Sequence, residues 1–166
     1  MPTSTANYSP TDYVQAIQGK MHERQAMEAY AISVVGLEQY PDNGMLMCLA
    51  AQACLVMDRL REAKLYVDKA RSANVAMALA HELYGDICLL ENSPGEAVKA
   101  YRQAEALDDA RDVIKTKIDK ARQMNEFRTR LSYIVVQASV IIEPEFQRKL
   151  PGHSFATLTT VSTFKS

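Results

Sequence analysis

A triplet of positions recurs along the chain at a constant interval, and it constrains the fold more than any other feature. In each of three segments, a small residue is followed by a second position four residues later and a third position three residues after that. These triplets are Ala29/Ser33/Gly36, Ala63/Val67/Ala70 and Ala97/Tyr101/Ala104. Small residues at this spacing lie on one helix face and let two helices approach closely. The constant step between the triplets therefore predicts an array of helical repeats.

The segment before each triplet follows the same interval. Ala51 and Cys54 precede Gly85 and Cys88 by one such step. A small residue at such a position is typical of the crossing of a tight antiparallel helix pair. After the first triplet, Pro41-Asp42-Asn43 is typical of a helix stop and turn. Each unit is thus predicted to contain two antiparallel helices.

A 34-residue unit of this kind resembles the tetratricopeptide repeat (TPR). The best match is the third unit, where five positions fit the family pattern: Tyr84, Gly85, Ala97, Tyr101 and Ala104. Residues 44–77 fit as well, except that Val75 stands where the family prefers Pro. Residues 10–43 fit in their second helix, while Ile17 stands where a small residue is expected. The resemblance implies an all-α, TPR-type α-solenoid with three repeats, at about 10–43, 44–77 and 78–111.

The pattern weakens after the third repeat. Because the last unit of an array needs a cover, residues 112–144 are interpreted as a degenerate fourth repeat or as C-terminal capping helices. The sequence leaves open whether this region forms one helix or two, and the last helix is expected to end at Glu143-Pro144. A spacing of four and three, typical of an amphipathic helix, connects Phe127, Leu131, Ile134, Ala138 and Ile141. The β-branched run Ile134-Val135-Val136 leaves a strand as the alternative.

The two ends of the chain are predicted to lie outside the TPR-like domain of residues 10–144. Residues 1–9 form an N-terminal arm. Residues 145–166 contain Pro151-Gly152 and many Ser and Thr, so an extended or disordered tail is expected. An apolar residue nevertheless recurs every three positions there, at Phe155, Leu158, Val161 and Phe164. An extended segment with this period can lie along a groove, and that alternative stays open.

The resemblance also implies a binding groove on the concave face, lined by the first helix of each repeat. The family's groove positions carry over to Val14, Gln18, Met21, His22, Met45, Cys48, Gln52, Leu55, Met77, Leu79, Glu82, Asp86, Leu89 and Arg111. Most are apolar, and methionine suits surfaces that accept varied apolar partners. The expected ligand is an amphipathic helix or an extended apolar segment, with a basic residue near Glu82 and Asp86. Burial in the core is the competing interpretation for Cys48, Leu55 and Leu89.

One branch of the TPR family holds the terminal carboxylate of heat-shock chaperones with Lys, Asn and Arg side chains. The matching positions in this sequence are Val14, Gln18, Cys48, Gln52, Glu82 and Asp86. Two of these side chains are carboxylates, which would repel a carboxylate ligand. The sequence therefore disfavours this function.

Composition and charge exclude several classes of function. The formal net charge of −1 argues against nucleic acid or an anionic membrane as the partner. His22, His81 and His153 belong to no catalytic or metal-binding motif, so the sequence predicts no enzyme, cofactor or metal site. Cys48 and Cys54, like Cys88, lie in helical segments and are expected to be buried, reduced thiols. A cytoplasmic location is predicted.

The resulting functional prediction is a non-enzymatic protein–protein interaction module, acting as an adaptor, scaffold or assembly factor. Two alternatives stay open. The first is a dedicated cytoplasmic chaperone for a secreted apolar protein, similar in architecture to type III translocator chaperones. The second is a self-assembling scaffold, with copies joined through the groove, the array ends or the C-terminal tail.

Overall fold

A computed structural model of the protein describes residues 8–73, 77–108 and 112–149. The backbone of this part forms α-helices and turns and contains no strand. The chain divides into two units, residues 1–125 and residues 126–166, which are described separately below.

The helices of the first unit keep the interval of the sequence repeat. The described helices of both units are α1 (Pro10–His22), α2 (Ala26–Gln39), α3 (Gly44–Val56), α4 (Leu60–Ala73), α5 (Ala78–Leu90), α6 (Pro94–Leu107) and α7 (Asp112–Lys149), of which α7 continues from the first unit into the second. The first helices of the three pairs begin at residues 10, 44 and 78, and the second helices begin at 26, 60 and 94. Both series advance by the same step as the triplets, so the predicted repeats of helix pairs are confirmed. Helix α7 begins at residue 112, one further step after the start of α5.

The turn inside each pair has the same backbone geometry. Arg24, Asp58 and Asn92 follow the first helices, with φ values of 61°, 60° and 56°. The residue after each of them donates its N–H to a carbonyl five positions earlier, as from Ser93 to Cys88 at 2.8 Å. This is the closing motif that a left-handed residue makes at a helix end. It satisfies a terminal carbonyl and reverses the chain into the second helix.

Two helix starts of the first unit are capped by side chains. The Ser9 hydroxyl accepts from the Asp12 N–H at 3.3 Å, and the Asp12 carboxylate accepts from the Ser9 N–H at 2.8 Å. Asn43 Oδ1 accepts from the Leu46 N–H at 3.1 Å at the start of α3. Since such caps satisfy otherwise unpaired amides, they define where a helix begins. Helix α2 ends at Gln39, so the stop and turn predicted before α3 are confirmed.

Small and large side chains alternate between the two helices of a pair. The corresponding positions hold Ile17/Ser33, Ala51/Val67 and Gly85/Tyr101, and all six residues are buried. In the third pair, a Cβ added at Gly85 would overlap the Tyr101 ring. The largest second-helix side chain thus lies against the residue that has no side chain, which keeps the pair close-packed.

The beginning of α7 closes the C-terminal end of the array. Ile114, Ile118 and Ala121 are buried, and they form one apolar cluster with residues of α5 and α6 that include Cys88 and Tyr101. An array needs such a cover because its last helix pair has no following repeat. The cap that the sequence predicted for the third repeat is therefore formed by the first part of α7.

Helix α7 differs from the sequence-based expectations in detail. The structure has one helix across residues 112–149, where one or two were open, and it has no strand at residues 134–136. No Gly or Pro occurs between Asp112 and Glu143, so nothing in this stretch interrupts helical hydrogen bonding. The stop expected at Glu143-Pro144 is wrong, because the helix continues to Lys149.

The second unit begins at Glu126, within α7. Residues 145–149 were expected in the tail but are helical. Residues 150–166, with the predicted apolar stripe of the tail, lie outside the described residues. The other domain boundaries stay predictions. None of the helices in the described part of the chain is both long enough and apolar enough to span a bilayer.

Candidate functional site

A concave depression of about 900 Å³ opens on the first unit, against the first helices of the three pairs. Its lining residues are Gln18, Met21, His22, Met45, Leu49, Gln52, Met77, Ala78, Leu79, Leu107 and Asp108. Helices α1, α3 and α5 supply most of them, since first helices of stacked pairs line the inner face. The residue before α5 and the end of α6 supply the rest.

Seven of the predicted groove residues meet in this depression: Gln18, Met21, His22, Met45, Gln52, Met77 and Leu79. Gln18 and Gln52 are one repeat apart and occupy the same place in successive units. The repeat interval therefore brings these two equivalent side chains to one surface.

Four lining residues were missed by the sequence-based prediction: Leu49, Ala78, Leu107 and Asp108. Leu107 is a large apolar residue that ends α6 with 44% of its surface exposed. It belongs to a second helix, and the family pattern assigns the groove to first helices. The sequence feature that could have identified Leu107 is a large apolar residue at the end of a helix.

Four other predicted groove residues belong to the buried clusters instead. Cys48 is fully buried, and Val14, Leu55 and Leu89 are partly buried against core residues. The Cys48 thiol lies 3.4 Å from the Met77 sulfur. Burial raises the pKa of the Cys48 thiol to about 12, so it is uncharged at neutral pH. Of these four, Cys48 thus contacts the lining of the depression through Met77.

Glu82 and Asp86, also predicted groove residues, form an ion cluster with Lys117 of α7. The Lys117 ammonium lies 2.8 Å from Glu82 Oε1 and 2.8 Å from both Asp86 carboxylate oxygens. The Tyr101 hydroxyl donates to Asp86 Oδ1 at 2.7 Å. Burial lowers the pKa of Lys117, but the hydrogen bonds to Asp86 and Glu82 outweigh it and raise the pKa overall. Lys117 therefore stays charged in the folded protein.

The basic residue that was expected from a ligand near Glu82 and Asp86 is present in the chain itself. With Lys117 in hydrogen-bonding distance of both carboxylates, the chain itself supplies one positive charge to the pair's two negative charges. This acidic pair consequently serves to hold α7 against α5. The remaining predicted residue, Arg111, lies outside the described residues.

The described part of the lining carries little charge. Its ionisable residues are His22 and Asp108, while Met21, Met45 and Met77 contribute flexible thioether side chains. Methionine adapts to apolar surfaces of different shape, whereas a phosphate or carboxylate site would need cations. Among the described residues, no group of three or more His, Cys, Asp or Glu side chains is placed to hold a metal ion.

Solved structures of similar architecture include several TPR domains. The TPR domain of Sgt2 from Aspergillus fumigatus matches 78% of this chain and 88% of its own, with 16% identity and a TM-score of 0.69. The first TPR domain of human RPAP3 matches 73% of this chain and 95% of its own, with 16% identity and a TM-score of 0.68. The fold is a TPR solenoid. Helices α1 to α6 are its three TPR helix pairs.

Another TPR structure is that of the first TPR of Spaghetti (RPAP3) bound to the HSP90 peptide SRMEEVD. It matches 69% of this chain and 90% of its own, with 18% identity and a TM-score of 0.63. At such identities the likeness establishes the TPR fold, and the ligand must be argued from this chain's own residues. No protein-family model matches the sequence, and no curated protein matches it significantly.

Proposed function

We propose that this TPR chain is a non-enzymatic protein–protein interaction module that binds an apolar helical or extended segment of a partner in the concave depression. Its role would be that of an adaptor, scaffold or assembly factor. The observation that carries the proposal is the depression lined by Met21, Met45, Met77 and Leu79. Two similar TPR domains are described as bound to peptides of HSP90 and HSP70, which supports peptide binding as the general activity.

The chemistry of the lining favours an apolar ligand. Each apolar side chain that a ligand buries here contributes roughly 1.5–3 kcal/mol, so two or three such contacts account for moderate affinity. The amides of Gln18 and Gln52 lie in the same lining and carry both donors and acceptors. They suit the polar backbone groups of an extended segment, which must be hydrogen-bonded when they leave water.

The same geometry disfavours a terminal carboxylate as the ligand. Among the described residues, the lining contains no Lys or Arg, and Lys117 is bound to Glu82 and Asp86. A carboxylate would lose hydration in the depression without gaining a cation. We therefore expect the peptide SRMEEVD to show no saturable binding in a fluorescence-anisotropy titration.

The test begins with peptides selected on the purified full chain from a random phage-displayed library. Fluorescent versions are then titrated into the chain and into the variants Met45→Glu and Leu79→Glu. Leu65→Glu is the matched control, because Leu65 is exposed on α4 and is not part of the lining. Circular dichroism establishes that each variant keeps its helical fold.

The proposal predicts apolar selected peptides whose affinity falls at least about tenfold in each depression variant and stays unchanged in the control. A buried glutamate without a counter-ion causes that loss, since it must be desolvated when the ligand binds. Equal binding by all folded variants would reject the depression as the site. Failure of any peptide to enrich would reject the proposed function itself.

A further inference from the structure

Three of the side chains that line the depression are methionine thioethers, whose sulfur atoms can be oxidised. Met21, Met45 and Met77 are partly exposed in this lining. We propose that peroxide converts these thioethers to sulfoxides and thereby weakens the binding of an apolar segment in the depression. This inference rests on the proposed peptide-binding function, and it adds a means of regulation to the same site.

The reaction is the transfer of one oxygen atom from hydrogen peroxide to a thioether. The O–O bond of the peroxide breaks, an S–O bond forms on the sulfur, and water leaves. The sulfur loses two electrons and the peroxide gains them, so no further reactant is required. The product replaces a flexible apolar side chain with a polar one, and methionine sulfoxide reductases can reverse the change.

The three cysteines of the chain are poorer targets for peroxide than the lining methionines. Cys48, Cys54 and Cys88 are all buried. Burial raises the pKa of each of these thiols, so all three are protonated at neutral pH. Peroxide attacks the thiolate form, and susceptibility to oxidation follows exposure. The accessible oxidisable sulfur of the depression therefore belongs to its methionines.

Met77 connects the lining to the packing of the second repeat. Its side chain extends from the residue before α5 to the first half of α3, where its sulfur lies 3.4 Å from the Cys48 sulfur. A Cβ added at Gly44 would lie 3.3 Å from the Met77 methyl group, so little space remains beside this side chain. An oxygen bonded to the Met77 sulfur either displaces it from its contact with α3 or projects into the depression. Both outcomes change the surface that the ligand meets.

The loss of affinity follows from desolvation of the new oxygen atoms. A sulfoxide oxygen accepts hydrogen bonds from water, and an apolar ligand that covers it removes this water without offering a donor. Two other methionines provide comparisons within the same chain. Met27 exposes 69% of its surface outside the lining, whereas Met47 is buried in the core. We expect Met27 to be oxidised without consequence for binding, and Met47 to react slowest.

The experiment uses the purified full chain and a fluorescent apolar peptide, selected on the untreated chain and free of Met and Cys. The chain is treated with hydrogen peroxide, catalase removes the oxidant at successive times, and each sample is titrated by fluorescence anisotropy. Mass spectrometry measures the oxidised fraction of each methionine, and circular dichroism follows the helical fold. The affinity should fall at least about tenfold, in step with oxidation of the lining methionines and later than oxidation of Met27.

A pair of variants assigns the effect to the depression. Met21→Leu/Met45→Leu/Met77→Leu removes the oxidisable sulfur atoms and keeps an apolar lining. Met27→Leu is the matched control, because it removes an exposed thioether outside the lining. For each protein, the readout is the ratio of the affinities after and before peroxide, so a changed basal affinity of the lining variant does not enter. This ratio should stay near one in the lining variant and fall as in wild type in the control. The time course on wild type tests the inference without any variant.

The outcomes distinguish this inference from the function on which it rests. A wild-type chain that binds no selected peptide before peroxide treatment would reject the proposed function and this inference with it. Binding that survives full oxidation of Met21, Met45 and Met77 would overturn this inference alone. So would lining methionines that stay unoxidised after Met27 has reacted, or an affinity loss that coincides with oxidation of Met27. An affinity loss that persists in the lining variant, or that accompanies loss of the helical fold, would contradict it as well.

Discussion

The second and third TPR units have the same helix lengths and turns, but their concave positions serve different purposes. In the second unit, Cys48 is buried and Gln52 lines the depression. The equivalent positions of the third unit hold Glu82 and Asp86, which bind Lys117. The position in the repeat thus fixes where a side chain lies on the concave face. The packing of the following helix determines whether another part of the chain contacts that side chain.

The difference arises from what is packed next to each unit. Met77, just before α5, lies over Cys48 and reaches the depression, so that part of the concave face stays apolar and open. After the third unit comes α7 instead of another full repeat, and its Lys117 binds both carboxylates of the acidic pair. Burying two carboxylates is costly without a cation, which explains why the pair and the lysine occur together.

The largest expected effect on stability comes from a substitution at the crossing of the two helices of a pair. Gly85→Ala should destabilise the protein by about 2–3 kcal/mol, because the new methyl group overlaps the Tyr101 ring, whose hydroxyl is held by Asp86. At the same place in the second unit, Ala51→Gly introduces no overlap and should cost about 1–2 kcal/mol through lost helix propensity and a small void. Urea unfolding followed by circular dichroism measures both. A Gly85→Ala protein within 0.5 kcal/mol of wild type, roughly the limit of such comparisons, would contradict the close packing.

An intermediate effect tests the ion cluster of the third unit. Lys117→Met keeps the length of the side chain but leaves Glu82 and Asp86 without their cation, at a cost of about 1–2 kcal/mol at pH 7 after allowance for partial exposure. Unfolding free energies of wild type and variant provide the measurement. Lys99→Met is the control, since Lys99 makes an exposed pair with Glu96 and should change stability little.

The pH dependence of the stability of Lys117→Met gives a second test of the ion cluster. The pKa of Lys117 is raised in the folded protein above its ordinary value of 10.5. Its contribution is therefore fully present below that pH and is lost as the pH rises through the folded-state pKa. The stability difference between wild type and Lys117→Met should be constant from pH 7 to 9 and shrink above pH 10.5. A difference that grows at alkaline pH would contradict the assignment.

The smallest expected effect on stability comes from substitutions in the turns between the two helices of a pair. Arg24 and Asp58 occupy the left-handed position of the first and second units. Glycine adopts this conformation without strain, and aspartate tolerates it better than arginine. Arg24→Gly should therefore stabilise the protein by about 0.5–1 kcal/mol, and Asp58→Gly by less. Thermal unfolding measures both shifts, and a loss of stability in Arg24→Gly would show that its side chain has a stabilising contact.

Most of the fold could be predicted because the repeat interval is carried by residues that must be small. Ala63, Ala70, Ala97 and Ala104 are all fully buried, so substitution there is limited by space. The end of the array was harder to predict, since α7 has neither the small triplet nor a Gly or Pro to divide it before Pro144. Its extent depends on packing that periodicity alone does not describe.

The candidate site could be predicted in part for the same reason. Gln18 and Gln52 follow the repeat frame and lie in the depression. Glu82 follows that frame too, but it binds Lys117, which lies in the degenerate region and at none of the groove positions that the family pattern assigned. Leu107 was missed because it reaches the depression from the end of a second helix.

If the depression itself receives an apolar segment, as we propose, methionine methyl groups report on its binding directly. Of the eight methionines, Met21, Met45 and Met77 line the depression, while Met27 is exposed on α2 outside it. In an NMR titration of methyl-labelled protein with a selected apolar peptide, the resonances of Met21, Met45 and Met77 should shift together and saturate, with Met27 unchanged. Saturable shifts at Met27 with none at the three lining methionines would contradict the account.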